Sequence, residues 1–100
     1  MKPDCTRCAK AFKDCKAMGD THRLHIVKYL RQCGKEIGAS ELLVQLSVAQ
    51  PTLAHHMKIL TQAGLVFARK DGRSTYYSLN VEEFLRIGEC LSSIAHTVSA

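Results

Sequence analysis

Residues 49–79 read AQPTLAHHMKILTQAGLVFARKDGRSTYYSL and combine a helical pattern with a β-hairpin pattern. Pro51 stands at the start of the helical part, where a proline costs no intrahelical hydrogen bond. Apolar residues recur at helical spacing and predict a buried stripe made of Leu53, Met57, Leu60 and Ala63. Gly64 follows this stripe, at the place where a left-handed residue commonly ends a helix. The first half of the stretch is therefore predicted to be one amphipathic helix.

The second half of the stretch is predicted to be a basic β-hairpin. The apolar run LVFA at 65–68 and the run TYYSL at 75–79 are separated by a turn that contains Asp71-Gly72. Three cations surround this turn, namely Arg69, Lys70 and Arg73. The preceding helix carries a predicted outward face made of Thr52, His55, His56, Lys58 and Gln62. A polar helix face joined to a basic ribbon is typical of a DNA recognition helix followed by a wing.

Length and composition predict one small domain that spans residues 1–100, with a flexible N-terminal segment at 1–8. The net charge of +5 favours a polyanionic partner and salt-dependent binding. No apolar stretch is long enough to span a membrane, and the N-terminus lacks the apolar core of a signal peptide. We therefore expect a cytosolic protein without a membrane partner. In that compartment its five cysteines are more often thiols, metal ligands or redox sensors than disulfides.

The rest of the chain predicts four further helices. They are expected at 8–18, at 21–33 with a cap from Asp20 or Thr21, after a cap at Ser40, and at 81–98. The helix at 21–33 is expected to turn Leu24, Ile26, Val27 and Leu30 inward. The fold class is thus mainly α with a small β-hairpin, a winged helix-turn-helix of about five helices and a two-stranded wing. Apolar stripes on the first and last helices predict a dimer that packs through them.

Two motifs resemble the ArsR/SmtB family of bacterial winged-helix regulators. Residues 49–66, AQPTLAHHMKILTQAGLV, with YYSL at 76–79, are similar to a recognition segment close to SQPTVSHHLKVLREAGLV that is followed by a basic wing and YYRL. Residues 16–27, KAMGDTHRLHIV, resemble the family's KALGDPTRLRIL. The two motifs cover about half of the chain in the expected order. Ala49 and Ala54 replace the two serines of the family's recognition helix.

The resemblance implies a homodimer that binds double-stranded DNA at an imperfect inverted repeat near a promoter. By position, the implied contacts of the recognition helix with DNA are made by Gln50, Thr52, His55 and His56. Glutamine can pair with adenine, and threonine can bond a base edge or a phosphate. The cations are interpreted as phosphate contacts, which position the protein without reading sequence, and they are Lys58, Arg69, Lys70 and Arg73. One of the two tyrosines Tyr76 and Tyr77 is expected to pack inward.

Members of the family are commonly released from DNA by a metal, a metalloid or thiol oxidation. The family's Cys-x-Cys site at the third helix is absent, since Gly38 and Ser40 stand in those positions. On the last helix, Glu83 and His96 match only half of the family's zinc shell, and half of a tetrahedral shell is not a zinc site.

The cysteines remain as candidate sensors. Cys5-x-x-Cys8 can hold one ion, Cys15 follows Cys8 by about two helical turns, and Cys90 lies on the last helix. Thiolates favour soft ions, so the possible inducers are arsenite, cadmium, lead or zinc. Basic neighbours lower thiol pKa values and favour metal binding or oxidation. Packing is the alternative role: it is favoured for Cys15, equally balanced for Cys90, and a poor explanation for Cys5 and Cys8. Cys33 is interpreted as a thiol at a helix end.

The leading hypothesis is a dimeric transcriptional repressor that a thiol-directed signal releases from its operator. The alternative is a winged-helix protein-interaction module, or a DNA-binding regulator without a ligand whose cysteines are structural. An enzyme is not expected, because the chain lacks a glycine-rich phosphate loop and no strand precedes its CxxC motif.

Overall fold

The computed structural model describes the backbone of residues 5–96 and the side chains of residues 9–95. This part of the chain forms five α-helices and a three-stranded antiparallel sheet. The helices are α1 (Cys5–Ala17), α2 (Thr21–Cys33), α3 (Ala39–Leu46), α4 (Gln50–Gln62) and α5 (Val81–His96), and the strands are β1 (Ile37–Gly38), β2 (Val66–Asp71) and β3 (Ser74–Leu79). The predicted winged helix-turn-helix is confirmed. Helix α1 begins three residues before the predicted start at residue 8, and residues 97–98 of the predicted last helix lie outside the described part.

Helix α2 begins at the predicted cap. The Oδ1 atom of Asp20 accepts hydrogen bonds from the backbone N–H groups of His22 and Arg23, at 2.9 and 3.2 Å. These two donors lie in the first turn of the helix, where backbone N–H groups have no intrahelical partner. The carboxylate also stabilises the positive end of the helix dipole. Asp20 therefore fixes the start of α2, as one of the two predicted caps.

Helices α3 and α4 form the helix-turn-helix and are joined by a tight turn. Ser47 adopts a left-handed conformation at φ 53°, and its N–H donates to the carbonyl of Leu43 at 3.0 Å. The prediction that Ser40 caps α3 is wrong, because the helix already begins at Ala39 with Gly38 in the cap position. Gly38 is held in an extended conformation by pairing with β3, so the chain turns into the helix directly after the strand.

The sheet has the strand order β1-β3-β2. Strands β2 and β3 form the predicted hairpin, in which Asp71 pairs with Ser74 and Gly72 takes a φ of 63° in the two-residue turn. A glycine at this first central position fits a type II′ turn, whose twist matches that of the strands. Strand β1 was not predicted, and it adds two residues to the far side of β3 by pairing Ile37 with Tyr77.

The core lies between α2, α3, α4 and the base of the sheet, and α5 closes one side. Its most buried apolar side chains are Ile26, Leu30, Ile37, Leu42, Met57, Leu60 and Leu65. The prediction that Leu24 points inward is wrong, since 39% of its surface is exposed. Helices α1 and α5 pack against each other within the chain. They still leave Phe12, Leu85, Leu91 and Ile94 exposed.

Candidate nucleic-acid interface

Helix α4 presents a polar face to solvent. Leu53, Met57 and Leu60 are buried on its inner side, with exposed fractions of 3% or less. The spacing of these three residues fixes the rotation of the helix about its axis. The outer face is consequently formed by side chains that are exposed, and it includes Gln50, Thr52, His55, Lys58 and Gln62. Four of the sequence-predicted DNA contacts lie together on this face.

His56 lies on the opposite side of α4, and the prediction that its ring faces outward is wrong. Only 8% of the residue is exposed. Its Nδ1 atom lies 3.2 Å from Nη1 of Arg23, whose Nε donates to the carbonyl of Ala17. Burial is the main cause of a lowered pKa of His56, so the ring accepts the guanidinium hydrogen bond in its neutral form. His56 therefore joins α4 to the start of α2.

The first turn of α4 is an exposed positive helix end. Ala49 occupies the cap position in extended conformation, and its methyl group offers no hydrogen-bond acceptor. Gln50, Pro51 and Thr52 are all exposed. Backbone N–H groups at such a helix start, together with the helix dipole, attract an anion. Because Ala49 stands where the family has a serine, the backbone N–H groups at the start of α4 remain available to an acceptor from another molecule.

The hairpin carries cations next to α4. Lys70 and Arg73 are exposed at its tip. An open groove of about 430 Å³ lies between the starts of α3 and α4 and strand β3, with Gln50, Arg73 and Tyr76 among its lining residues. The recognition face and the basic ribbon therefore border the same concave surface.

Arg69 is held by partners that the sequence patterns did not reveal. Its Nε and Nη2 atoms donate to both carboxylate oxygens of Glu36 at 2.9 to 3.1 Å, and its guanidinium lies 4.8 Å from the ring centroid of Tyr76. The Arg69 guanidinium lowers the pKa of Glu36. Arg69 is thus less available to a phosphate than Lys70 or Arg73. Glu36, the ion-pair partner of Arg69, lies 33 residues away in sequence.

The two tyrosines of β3 differ as expected. Tyr77 packs against the hydrophobic core, and burial raises the pKa of its hydroxyl. Tyr76 lies beneath the guanidinium of Arg69 and next to Gly38. Tyr77 consequently anchors the ribbon to the core, whereas Tyr76 faces the groove.

A partly buried ionic cluster links the end of α4 to the two terminal helices. The Nζ atom of Lys10 lies 2.5 Å from Oδ1 of Asp14, 2.9 Å from Oε2 of Glu83 and 2.7 Å from the carbonyl of Ala63. Arg86 also donates to Glu83 at 2.9 Å. Burial is the main cause of the raised pKa of the Asp14 carboxyl. The hydrogen bond from Arg86 is the main cause that lowers the pKa of Glu83 to about 2. The spacings of Lys10 with Asp14 and of Glu83 with Arg86 both suit helical ion pairs, and they are the sequence signals of this cluster.

Several known proteins are similar to this chain in sequence and in fold. Residues 20–67 match the family described as "Bacterial regulatory protein, arsR family". The chain is 46% identical over 65 residues to the arsenical resistance operon repressor of Staphylococcus aureus, covering 65% of this chain and 61% of that protein. It is 37% identical over 81 residues to the HTH-type transcriptional regulator MJ1325 of Methanocaldococcus jannaschii, itself uncharacterized, covering 78% and 90%. The chain belongs to the ArsR family. The structure of HlyU from Vibrio cholerae N16961 aligns with a TM-score of 0.69 at 32% identity, covering 87% of this chain and 92% of that one.

This ArsR-family chain is a DNA-binding transcriptional regulator and not an enzyme. Within its described part, no helix combines the length and apolar content that a membrane span requires.

The cysteines of this ArsR-family chain fall into two groups. The backbones of Cys5 and Cys8 lie in the first two turns of α1, but their side chains lie outside the described residues. Cys90 is a buried part of the core, with 8% of its surface exposed, and Cys15 and Cys33 are half-buried against the core. All three of these are free thiols.

Glu83 is poorly placed to act as a zinc ligand in the half-shell that it forms with His96 in the sequence pattern of the last helix. Lys10 and Arg86 both bond its Oε2 atom. The side chain of His96, the other half of that pattern, lies outside the described residues.

Proposed function

We propose that this chain is a homodimeric transcriptional repressor that binds an imperfect inverted repeat near a promoter and is released by a thiol-directed signal. The observation that carries the DNA part is the exposed polar face of α4 beside a basic hairpin. A protein helix of this size fits the major groove of B-DNA, and the ribbon then follows the flanking backbone.

The exposed residues of α4 and of the hairpin divide into two roles. Gln50, Thr52 and His55 carry hydrogen-bonding side chains and are proposed to contact base edges. Lys58, Lys70 and Arg73 carry exposed charges and are proposed to contact phosphates. Arg69 joins this second group once it leaves Glu36. His56 is proposed to act indirectly, by holding α4 against Arg23 at the angle that the groove requires.

A second copy of the chain is the proposed cover for the apolar surface of the terminal helices. Phe12 on α1 and Leu91 and Ile94 on α5 are each more than half exposed. Large exposed apolar side chains on two helices that pack against each other favour burial in an interface. Pairing through α1 and α5 gives a two-fold dimer, and such a dimer matches a repeated half-site.

The signal is proposed to be a soft metal ion, trivalent arsenic or an oxidant that acts on the thiols of α1. Cys5 and Cys8 are the primary ligands. Cys15 lies seven residues after Cys8 on the same continuous helix, about 10 Å along its axis, which is too far for these residues of one chain to share an ion. Burial of Cys90 in the core favours packing for that residue. The arsenical resistance operon repressors of Staphylococcus aureus and Staphylococcus xylosus are both 46% identical to this chain, which supports a metalloid as inducer.

The Lys10 cluster offers the physical route from this signal to DNA. Lys10 lies two residues after Cys8 on α1, and its Nζ atom bonds the carbonyl of Ala63 at the end of α4. Movement of α1 on ligand binding therefore changes a contact of the recognition helix. Coupling between two such sites is typically ~1–3 kcal/mol, which corresponds to a change of about 5- to 150-fold in DNA affinity.

The DNA part is tested with single substitutions on α4. His55→Ala is expected to weaken binding to the operator by about 1–3 kcal/mol and to relax base preference at one position. Gln62→Ala, on the same face but at the far end of the helix, serves as the matched control and is expected to change affinity little. Equal effects of both substitutions would contradict the proposed docking of the helix through its first half.

The sensor part is tested with Cys5→Ser/Cys8→Ser and with Cys33→Ser as the matched control. Arsenite, cadmium, lead, zinc and a mild oxidant are titrated separately into the reduced protein–DNA complex. The double variant is expected to bind DNA as the original chain does and to ignore the signal, whereas the control responds normally. Release of the double variant at the original concentration would refute these ligands.

A further inference from the structure

A cluster of one carboxylate and two imidazoles lies behind the recognition helix, apart from the cysteines. It consists of Asp20 at the cap of α2, His22 in the first turn of α2, and His56 on the inner side of α4. One ligand atom from each residue lies within 4.8 Å of the other two. Among the residues that the structure describes, this is the one group of three metal-ligating side chains that converges in this way.

We propose that Asp20, His22 and His56 form a binding site for a divalent first-row transition-metal ion such as Zn²⁺ or Co²⁺. Two imidazole nitrogens and one carboxylate oxygen are a donor set that suits these ions. Three protein ligands leave the fourth tetrahedral position to a water molecule. This site is independent of the thiols to which the inducer response is assigned.

The distances support ligation after a small adjustment of the side chains. The Oδ1 atom of Asp20 lies 3.9 Å from Nδ1 of His22 and 4.0 Å from Nδ1 of His56. Tetrahedral ligands at about 2.0–2.1 Å from an ion lie roughly 3.3–3.4 Å apart. The contraction is therefore about half an ångström for each of the two Asp20–histidine pairs and up to about 1.5 Å for the His22–His56 pair, whose ligand atoms lie within 4.8 Å. The exposed ring of His22 can supply much of it by rotation. The rings of His22 and His56 are already 5.3 Å apart.

The scaffold fixes two of the three ligands in advance. The side chain of His56 is 10% exposed, so its ring has little freedom to move. Asp20 is fixed by the two backbone hydrogen bonds that it accepts at the start of α2. Ligands that are already ordered lose less conformational entropy when they bind an ion.

Arg23 is the group that opposes the ion. Its Nη1 atom occupies the hydrogen-bonding position on Nδ1 of His56 at 3.2 Å, so an ion must displace it. The Nε atom of Arg23 can retain its bond to Ala17 during this movement. The displaced guanidinium charge makes the site weaker than a preformed zinc centre. The ion in turn replaces the Arg23 contact as the link between α2 and the recognition helix.

The test uses Co²⁺, because its spectrum distinguishes ligand types. The chain with Cys5→Ser/Cys8→Ser is titrated with Co²⁺ and followed by visible absorption and by calorimetry. The expected result is one Co²⁺ per chain with ligand-field absorption and without a thiolate charge-transfer band. Addition of Zn²⁺ is expected to displace the cobalt spectrum.

Variants in the same background locate the site. His22→Ala is expected to weaken Co²⁺ binding at least tenfold, since loss of an outer-shell partner alone costs about 10- to 100-fold. Asp20→Asn is expected to do the same while it preserves the helix cap, because asparagine caps as well as aspartate. His25→Ala is the matched control, an exposed histidine of α2 outside the cluster, and is expected to keep the original affinity.

Three results overturn the proposal. They are the absence of Co²⁺ binding in the cysteine-substituted chain, a thiolate band in its cobalt spectrum, and equal affinities of the His22→Ala and His25→Ala chains. Because the first result leaves DNA binding and the thiol response unaffected, failure of this site is distinguishable from failure of the proposed repressor.

Discussion

Replacing Lys10 by methionine removes the positive charge that joins α1, α4 and α5. The substitution retains much of the apolar stem but leaves Asp14 and Glu83 as two neighbouring carboxyl groups, and it deprives the Ala63 carbonyl of its donor. The side chain of Asp14 has no exposed surface, and that of Glu83 is 13% exposed. Removal of one partner from a buried ion pair costs about 3–5 kcal/mol.

The expected cost here is smaller than that of a fully buried pair. Lys10 is 38% exposed, and Arg86 still pairs with Glu83 after the substitution. We therefore expect the free energy of unfolding to fall by about 2 kcal/mol at neutral pH. For a chain of this size, a loss of about 2 kcal/mol lowers Tm by roughly 8–16 °C.

The pH dependence follows from the direction of each pKa. The pKa of Glu83 is lowered to about 2, so its stabilising contribution is present above its usual pKa of 4.5 and is lost as the pH falls towards 2. The pKa of Lys10 is raised, so its contribution is complete below 10.5 and is lost at higher pH. The difference between the Lys10→Met chain and the original chain is therefore expected to narrow below about pH 4.5.

Urea unfolding of the reduced, metal-free protein at one fixed concentration measures this effect. Lys13→Met is the matched control, because Lys13 is an exposed lysine on the same helix. The control is expected to stay within about 0.5 kcal/mol of the original chain. If Lys10→Met also stays within that range at pH 7, the cluster does not stabilise the fold and the proposed route from α1 to α4 loses its basis.

Three further substitutions test other parts of the structure. Glu36→Gln releases Arg69 in both protomers, so DNA affinity is expected to rise and the log–log salt slope of the dimer to steepen by up to about 2 in an anisotropy titration. Leu60→Ala empties a fully buried position and is expected to cost about 3 kcal/mol in urea unfolding, while Val44→Ala, at an exposed position, costs little. Ala49→Ser supplies the missing cap of α4 and is expected to stabilise the chain by about 1 kcal/mol, with a higher Tm. An unchanged salt slope would contradict the prediction for Glu36→Gln. Equal costs of Leu60→Ala and Val44→Ala would contradict the second prediction, and an unchanged Tm of the Ala49→Ser chain would contradict the third.

Local signals predicted most of the fold. Asp20 before α2, Pro51 at the start of α4 and Gly72 in the hairpin act within a few residues of themselves, so their effects can be read from the chain. Strand β1 could not be predicted in this way. Two residues carry no periodicity, and Ile37-Gly38 is extended because it pairs with residues 76–77 of β3.

The candidate interface was predicted less completely, for reasons that differ by residue. The spacing of His56 does predict an inward position, since the residue lies three positions after Leu53 and four before Leu60 on the buried stripe. Because the imidazole ring is polar, His56 was assigned to the outward face with the other polar residues. The pairing of Arg69 with Glu36 left no such signal, because a contact across 33 residues depends on how the sheet packs. The contacts of Lys10 with Ala63 and Glu83, 53 and 73 residues away, also depend on packing, whereas its pairing with Asp14 on the same helix follows from their spacing.

The central claim is that the outer face of α4 and the hairpin bind DNA, and a salt series on the reduced protein tests it most directly. Fluorescence anisotropy is measured with a duplex from upstream of its own gene and with an unrelated duplex. Three exposed cations per protomer, Lys58, Lys70 and Arg73, give about six phosphate contacts in a dimer and a log–log slope of about −5. Tight binding with that slope and a preference for the upstream duplex is the predicted result. Absence of binding, or binding that salt does not weaken, would contradict the account and favour a protein-interaction module.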